Sequence, residues 1–150
     1  MDHDITQLST SGTNRSPHFD DSRVNMEIRL ACVEDGLENM GFRKFAGYVK
    51  SIYPDTKVAY VPTGNLRSVI KVLTEKGAGK LTERDVYKVA QFLAGGNVVG
   101  ISSMTQYATT VHKIIAEIRK HNHRAYIIWG GIHAIIHPED AIKHADAVCT

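Results

Sequence analysis

The residues best suited to bind a ligand fall in two short stretches, each directly after an apolar run. Residues 100–105 (GISSMT) carry hydroxyl groups and the first amides of a predicted helix, which can hydrogen-bond an amide or a phosphate. Residues 129–133 (WGGIH) contain two glycines, which allow a positive φ and a close approach of a ligand to the backbone. Each stretch also has a purely structural interpretation, because the hydroxyls can cap a helix and the glycines can form a turn. Both interpretations remain open from the residues.

Other familiar catalytic and phosphate-binding patterns fail on their spacing. Residues 74–81 (TEKGAGKL) resemble a P-loop, but they lack its first glycine and its final Ser or Thr and follow a predicted helix. No GxGxxG follows the first predicted strand, and Ile101-Ser102 stands where a receiver-type phosphorylation domain needs an aspartate. Among carboxylates, only Asp35, with Glu34 beside it, is expected at the ligand-binding edge of the fold.

The histidines do not form a recognisable metal-binding motif. His133 and His137 are four residues apart, but Pro138 argues against a regular helix across them, and no third ligand is apparent. We therefore expect no protein-bound metal. The histidines at positions 112 and 144 fall on predicted helices and are expected to be solvated or to lie in an interface.

The two stretches can lie together only if the strands that precede them end at the same edge of one sheet. Short, continuous apolar runs alternate with helical patterns along the chain, which is typical of strands covered on both faces. The predicted strands are residues 28–33, 57–61, 97–102, 125–129 and 147–149, and the predicted helices include residues 37–51, 65–73, 83–94 and 105–121 and a short one from Pro138. This alternation predicts an α/β fold, with a doubly wound five-stranded parallel sheet in the flavodoxin-like order 2-1-3-4-5 and helices on both faces.

Length and composition predict one globular domain over residues 26–150. The chain has 150 residues, of which 43% are hydrophobic and 23% charged, and residues 1–25 are a polar stretch that we interpret as a flexible N-terminal arm. A net charge of +2 predicts no affinity for nucleic acid or an acidic membrane surface. The two distant cysteines, Cys32 and Cys149, argue against a disulfide framework, a zinc finger or a cysteine-ligated iron–sulfur site. The expected compartment is a reducing cytoplasm.

Several blocks of the sequence resemble a known family. Residues 97–105 (NVVGISSMT), 126–133 (YIIWGGIH), Pro138-Glu139 and 145–148 (ADAV) follow one another as in the cobalamin-binding domain found N-terminal to many radical S-adenosylmethionine enzymes. The resemblance covers residues 27–150 and is strongest from residue 97 onward. It implies a corrinoid held against the C-terminal edge of the sheet, with its tail beside the strands.

Position by position, the resemblance implies two groups of cofactor contacts. Those beside the corrin and its tail would be Ser102, Ser103, Met104 and Thr105. Those lining the slot for the nucleotide tail and its phosphate would be Gly130, Gly131, Ile132 and His133. Glu38 stands where domains of the methionine-synthase type carry the histidine that ligates cobalt. We therefore expect base-off cobalamin with no histidine from this chain on the metal.

The resemblance also implies how the activity is divided along a longer protein. The sequence ends before the family's usual Gly-Glu-Gly-Glu turn and contains no CxxxCxxC motif for an iron–sulfur cluster. We expect a module that binds cobalamin without catalysing by itself, with the iron–sulfur cluster and S-adenosylmethionine in a downstream radical domain that performs methyl or other alkyl transfer. The alternative is a non-enzymatic α/β regulatory or interaction domain that has lost the cofactor. A flavin-binding function has less support than either of these, because no phosphate-binding loop rich in Ser and Thr follows the first strand.

Overall fold

A computed structural model describes residues 26–34, 39–62 and 81–150 of the chain. Its strands are β1 (Ile28–Val33), β2 (Lys57–Val61), β3 (Val98–Ser103), β4 (Tyr126–Gly130) and β5 (Ala147–Val148). Its α-helices are α1 (Met40–Ile52), α2 (Glu83–Ala94), α3 (Ala108–His121), α4 (Ile132–Ile136) and α5 (Pro138–Ala141), and a 3₁₀ turn (Thr105–Tyr107) precedes α3. The proposed arm, the predicted helix at 65–73, most of the rejected P-loop, Asp35 and Glu38 lie outside the described residues.

The five strands form one parallel sheet in the order β2-β1-β3-β4-β5, which confirms the predicted topology. The register pairs Cys32 of β1 with Ser102 of β3, and Ser102 with Gly130 of β4. These three residues therefore form one row close to the carboxyl ends of the central strands. The stretches that follow β3 and β4 emerge side by side at that edge, as the sequence predicted.

Helices cover the two faces of the sheet unequally. The larger core lies on the face that we call the packed face, where α2 and α3 cover buried strand residues such as Val99, Ile127 and Trp129. The opposite side, which we call the cavity face, carries α1 and a smaller core of five buried residues: Ile28, Leu30, Cys32, Phe42 and Ala46. No helix within the described ranges combines the length and the apolar character needed to cross a membrane.

Local sequence signals explain where several helices begin. The Thr82 hydroxyl accepts from the Asp85 amide, while the Asp85 carboxylate accepts from the Thr82 amide, which forms a capping box at the start of α2. Asn39 caps α1 by accepting a hydrogen bond from the Phe42 amide at 2.8 Å. The turn at Thr105 delays α3 to Ala108, three residues later than predicted.

Only one side of α1 packs against the sheet. Met40, Phe45 and Ile52 recur at broadly helical spacing, yet these side chains are exposed, whereas Phe42 and Ala46 contact the sheet. Phe42 and Ala46 are four residues apart and so share one side of the helix. Apolar spacing does not identify the buried side, because α1 has apolar residues on more than one side and only tertiary packing selects which side meets the sheet.

Candidate functional site

A cavity of about 530 Å³ lies on the cavity face and reaches the carboxyl edge of the sheet. Residues of β1, β3 and β4 form its floor, and residues of α1 and α4 contribute to its walls. The walls are apolar, and the residues that form them include Leu30, Val98, Ile128, Phe42, Phe45, Val49, Ile132 and Ile135. A volume of this size is typical of small-molecule sites, which are mostly apolar with a few polar groups that orient the ligand.

The cavity gathers most of the residues that the sequence assigned to the cofactor. Six of the eight contribute to its lining: Ser102, Ser103, Met104, Gly130, Gly131 and Ile132. Thr105 and His133 are not among the lining residues. The two stretches therefore lie at the edge of the sheet that the cavity reaches, although the sequence did not separate residues that face the cavity from their immediate neighbours.

Ser102 and Ser103 are consecutive in β3 and have different surroundings. The Ser103 side chain is buried, and its hydroxyl accepts a hydrogen bond from Trp129 Nε1 at 3.0 Å. Successive residues of a strand point to opposite faces, so Ser102 projects towards the cavity face. The helix-capping interpretation fails for Ser103, because its hydroxyl ties β3 to β4, and no side-chain cap precedes α3 or its 3₁₀ turn. Ser102 is the hydroxyl available to a ligand.

Gly130 and Gly131 also have different roles. Gly131 has φ of +91°, and a Cβ there would lie 2.8 Å from both the amide nitrogen and the carbonyl oxygen of Ser103. A side chain is excluded by both conformation and contact, which supports the turn interpretation at this position. At Gly130 a Cβ would meet Cys149 Cβ at 3.4 Å, an ordinary contact. The free space beside β4 therefore depends on Gly130.

Polar groups at the end of β1 form one rim of the cavity. Glu34 and Asn39 both line it, and the Asn39 side-chain amide donates to Glu34 Oε1. Cys32 donates its thiol hydrogen to the same oxygen, with the sulfur 3.0 Å away. Burial, followed by the hydrogen bond and the charge of Glu34, raises the pKa of the Cys32 thiol well above its ordinary value. The protonated thiol is thus a structural donor rather than a nucleophile.

His133 lies among residues of the packed side. It is buried, its ring lies 4.8 Å from the Trp129 ring, and its Nε2 lies 3.1 Å from Asp140 Oδ2. The flanking α4 residues, Ile132 and Ile135, instead line the cavity. The predicted contact of His133 with a nucleotide tail draws no support from this placement.

The polarity of the cavity is compatible with one part of the cofactor that the family resemblance implies. Its apolar floor and walls suit the planar aromatic base of the nucleotide tail, and the Ser102 hydroxyl and the Glu34–Asn39 rim offer groups for polar substituents. The lack of a side chain at Gly130 keeps the strand side open. By itself this arrangement can bind and orient a flat, partly apolar ligand, and the described lining contains no nucleophile paired with a base.

Comparisons with known proteins give little further information. No protein-family profile matches the chain, and no curated protein matches it. One solved structure with a similar arrangement is PdxK of Plasmodium falciparum, crystallised with the ligands AMP-PNP and PL. The two chains are 12% identical with a TM-score of 0.39, over 71% of this chain and 40% of that chain. The strand order and register of this chain define it as a flavodoxin-like α/β fold.

Proposed function

We propose that this chain is a cobalamin-binding module and that the nucleotide tail of the cofactor occupies the cavity. The observation that carries the proposal is the convergence on one apolar cavity of six residues that the family resemblance had assigned to the cofactor. The sheet alone brings the two stretches to one edge, and the cavity adds the apolar space that α1 and α4 leave beside them.

The residues of this chain would bind and orient the cofactor. Ile128, Phe42 and Phe45 provide apolar contact surface, and Ser102 provides a hydrogen bond at the sheet edge. Burying the aromatic base removes water from both surfaces, a gain of about 25 cal/mol for each Å² of apolar area. When bound, cobalamin supplies the cobalt chemistry of methyl or alkyl transfer, which we assign to a longer protein with a radical domain.

The direct test compares two corrinoids, monitored by visible absorption. Hydroxocobalamin carries the nucleotide tail, whereas cobinamide lacks it, so the chain should bind hydroxocobalamin at least about tenfold more tightly. Gly130→Val places a branched side chain in the cavity and should lower the affinity for hydroxocobalamin to that for cobinamide.

Gly47→Val is the matched control. Gly47 is exposed on α1, and a Cβ there would meet nothing within 4 Å, so this variant should bind both corrinoids as the parent chain does. If the folded parent chain does not bind hydroxocobalamin, or binds both corrinoids equally, the proposal is wrong. If the parent chain binds neither corrinoid, the result would favour the alternative, a non-enzymatic regulatory or interaction domain.

The axial ligand of cobalt provides a second readout. His133 Nε2 is engaged with Asp140, and the ring does not line the cavity, so this histidine should not reach the metal. We expect a base-off spectrum, and a Co(II) electron-spin signal without nitrogen splitting. A nitrogen triplet that disappears in His133→Ala would contradict the assignment of the loop after β4 to the tail.

A further inference from the structure

Outside the cavity, three potential metal ligands from three helices meet on the packed side of the molecule. His112 of α3, His133 of α4 and Asp140 of α5 place one ligand atom each within 4.8 Å of the others. Two further histidines adjoin them: the His144 ring stacks on His112 with 3.9 Å between centroids, and the His137 ring lies 5.4 Å from that of His133. We call His112, His133 and Asp140 the histidine–aspartate cluster.

Two of the three distances in the cluster are close to those that a small divalent ion requires, and the third is at most 4.8 Å. Asp140 Oδ2 lies 3.2 Å from His112 Nε2 and 3.1 Å from His133 Nε2. With metal–ligand bonds of about 2.0–2.1 Å, neighbouring ligand atoms around a tetrahedral zinc ion are roughly 3.3 Å apart. Small side-chain adjustments would therefore let all three atoms contact one ion.

The cluster combines one buried ligand with two that solvent reaches. His133 is 3% exposed. The cluster is also open to solvent, since the side chain of Asp140 is 38% and that of His112 28% accessible. An ion can therefore reach it, and water can complete its coordination.

We propose that His112, His133 and Asp140 form a binding site for one zinc ion, independent of the cavity. Two imidazoles and one carboxylate with an open position are a donor set found in zinc sites, whereas Mg²⁺ prefers oxygen ligands. The neighbouring Trp129, whose ring lies edge-on to His112 at 5.3 Å, forms an apolar boundary behind the ligands.

Calorimetric titration of the full chain with Zn²⁺, after removal of bound metals by a chelator and without cobalamin, tests the proposal. We expect a saturable site of one ion per chain, no comparable heat with Mg²⁺, and a higher melting temperature with Zn²⁺. Asp140→Asn and His112→Gln should each lower zinc affinity at least about tenfold. Both sites of substitution are partly exposed, so these variants should fold, which circular dichroism verifies.

The matched control is His123→Ala, because His123 lies outside the cluster. It should bind Zn²⁺ as the parent chain does. Equal zinc affinity in the parent chain, Asp140→Asn and His112→Gln would overturn the proposal, and so would the absence of saturable binding. Zinc binding that is lost in His123→Ala but kept in Asp140→Asn would place the ion elsewhere and would also overturn it.

Discussion

The described helices cover the two faces of the sheet to different degrees. On the packed face, α2 and α3 bury large side chains such as Leu93, Ile114 and Trp129 completely. On the cavity face, α1 buries only Phe42 and Ala46 and leaves Phe45 half exposed beside the cavity. Both faces are apolar, so hydrophobicity does not distinguish them. The difference is whether the described helices fill the space over the strands.

This contrast indicates how stability and binding are divided. Close packing on one side can supply most of the folding free energy, which leaves apolar surface on the other side free to contact a ligand. Substitutions on the packed face should therefore act on unfolding, and those on the cavity face should act on binding. The following predictions test this division.

The largest effect should come from the centre of the packed face. Ile114→Ala removes a fully buried side chain of α3 and should lower the free energy of unfolding by roughly 2–5 kcal/mol. Phe45→Ala removes a larger side chain that is 52% exposed, and we expect a change within about 0.5 kcal/mol. Urea denaturation of both variants measures the difference. Equal losses of stability would break the division between the faces.

The second-largest difference in stability is expected between substitutions at the two adjacent glycines, Gly130 and Gly131. Gly131→Ala forces a side chain into a left-handed conformation against the Ser103 backbone and should cost about 2–3 kcal/mol. Gly130→Ala adds a methyl group in ordinary contact distance of Cys149 and should change stability by less than about 1 kcal/mol. Thermal unfolding of the pair checks this expectation, and a Gly131→Ala variant as stable as the parent chain would contradict it.

The consecutive serines compare the two faces at adjacent positions of one strand. Ser103→Ala leaves the buried Trp129 Nε1 without its acceptor and should lower the free energy of unfolding by about 1–2 kcal/mol. Ser102→Ala should leave stability unchanged and weaken hydroxocobalamin binding by up to about tenfold. Parallel melting and absorption titrations separate these outcomes. If Ser102→Ala lowers the melting temperature at unchanged affinity, its hydroxyl is structural.

The smallest effect concerns a charge remote from the cavity. Asp146 accepts hydrogen bonds from the Ile127 amide at 2.7 Å and from Arg119 at 2.6 Å. Loss of hydration raises the pKa of Asp146, but these two partners outweigh it and lower the pKa below 3.8. The pKa of Asp146 is lower in the folded state than in the unfolded state. The ionised carboxylate therefore stabilises the fold above pH 3.8, and this stabilisation is lost as the pH falls through the folded-state pKa.

Asp146→Asn should therefore lower the free energy of unfolding by less than about 1 kcal/mol at pH 7, since the pair is partly exposed. The difference from the parent chain should shrink in urea denaturation at pH 3, and corrinoid affinity at pH 7 should not change. A difference that grows towards acid pH would show that the charge of Asp146 is not stabilising.

The sequence by itself determined the framework and the edge at which a site can lie. Continuous apolar runs separated by helical patterns allow few arrangements other than a doubly wound parallel sheet, and strands of such a sheet end at a shared edge. The GISSMT and WGGIH stretches were recognisable because their residue types follow strand ends directly. The capping box at Thr82 could also be read locally, since both of its hydrogen bonds join residues three positions apart.

Only the tertiary structure decided which residues share a space. It separated Ser102 from Ser103, selected the buried side of α1, and brought His112 beside His133 and Asp140 from a helix that precedes β4. The spacing along the chain suggested a pair of His133 and His137. It did not indicate that His112 and Asp140 are the neighbours of His133 in space. The physical reason is that local patterns specify backbone conformation, whereas the contacts of a side chain depend on how distant elements pack against it.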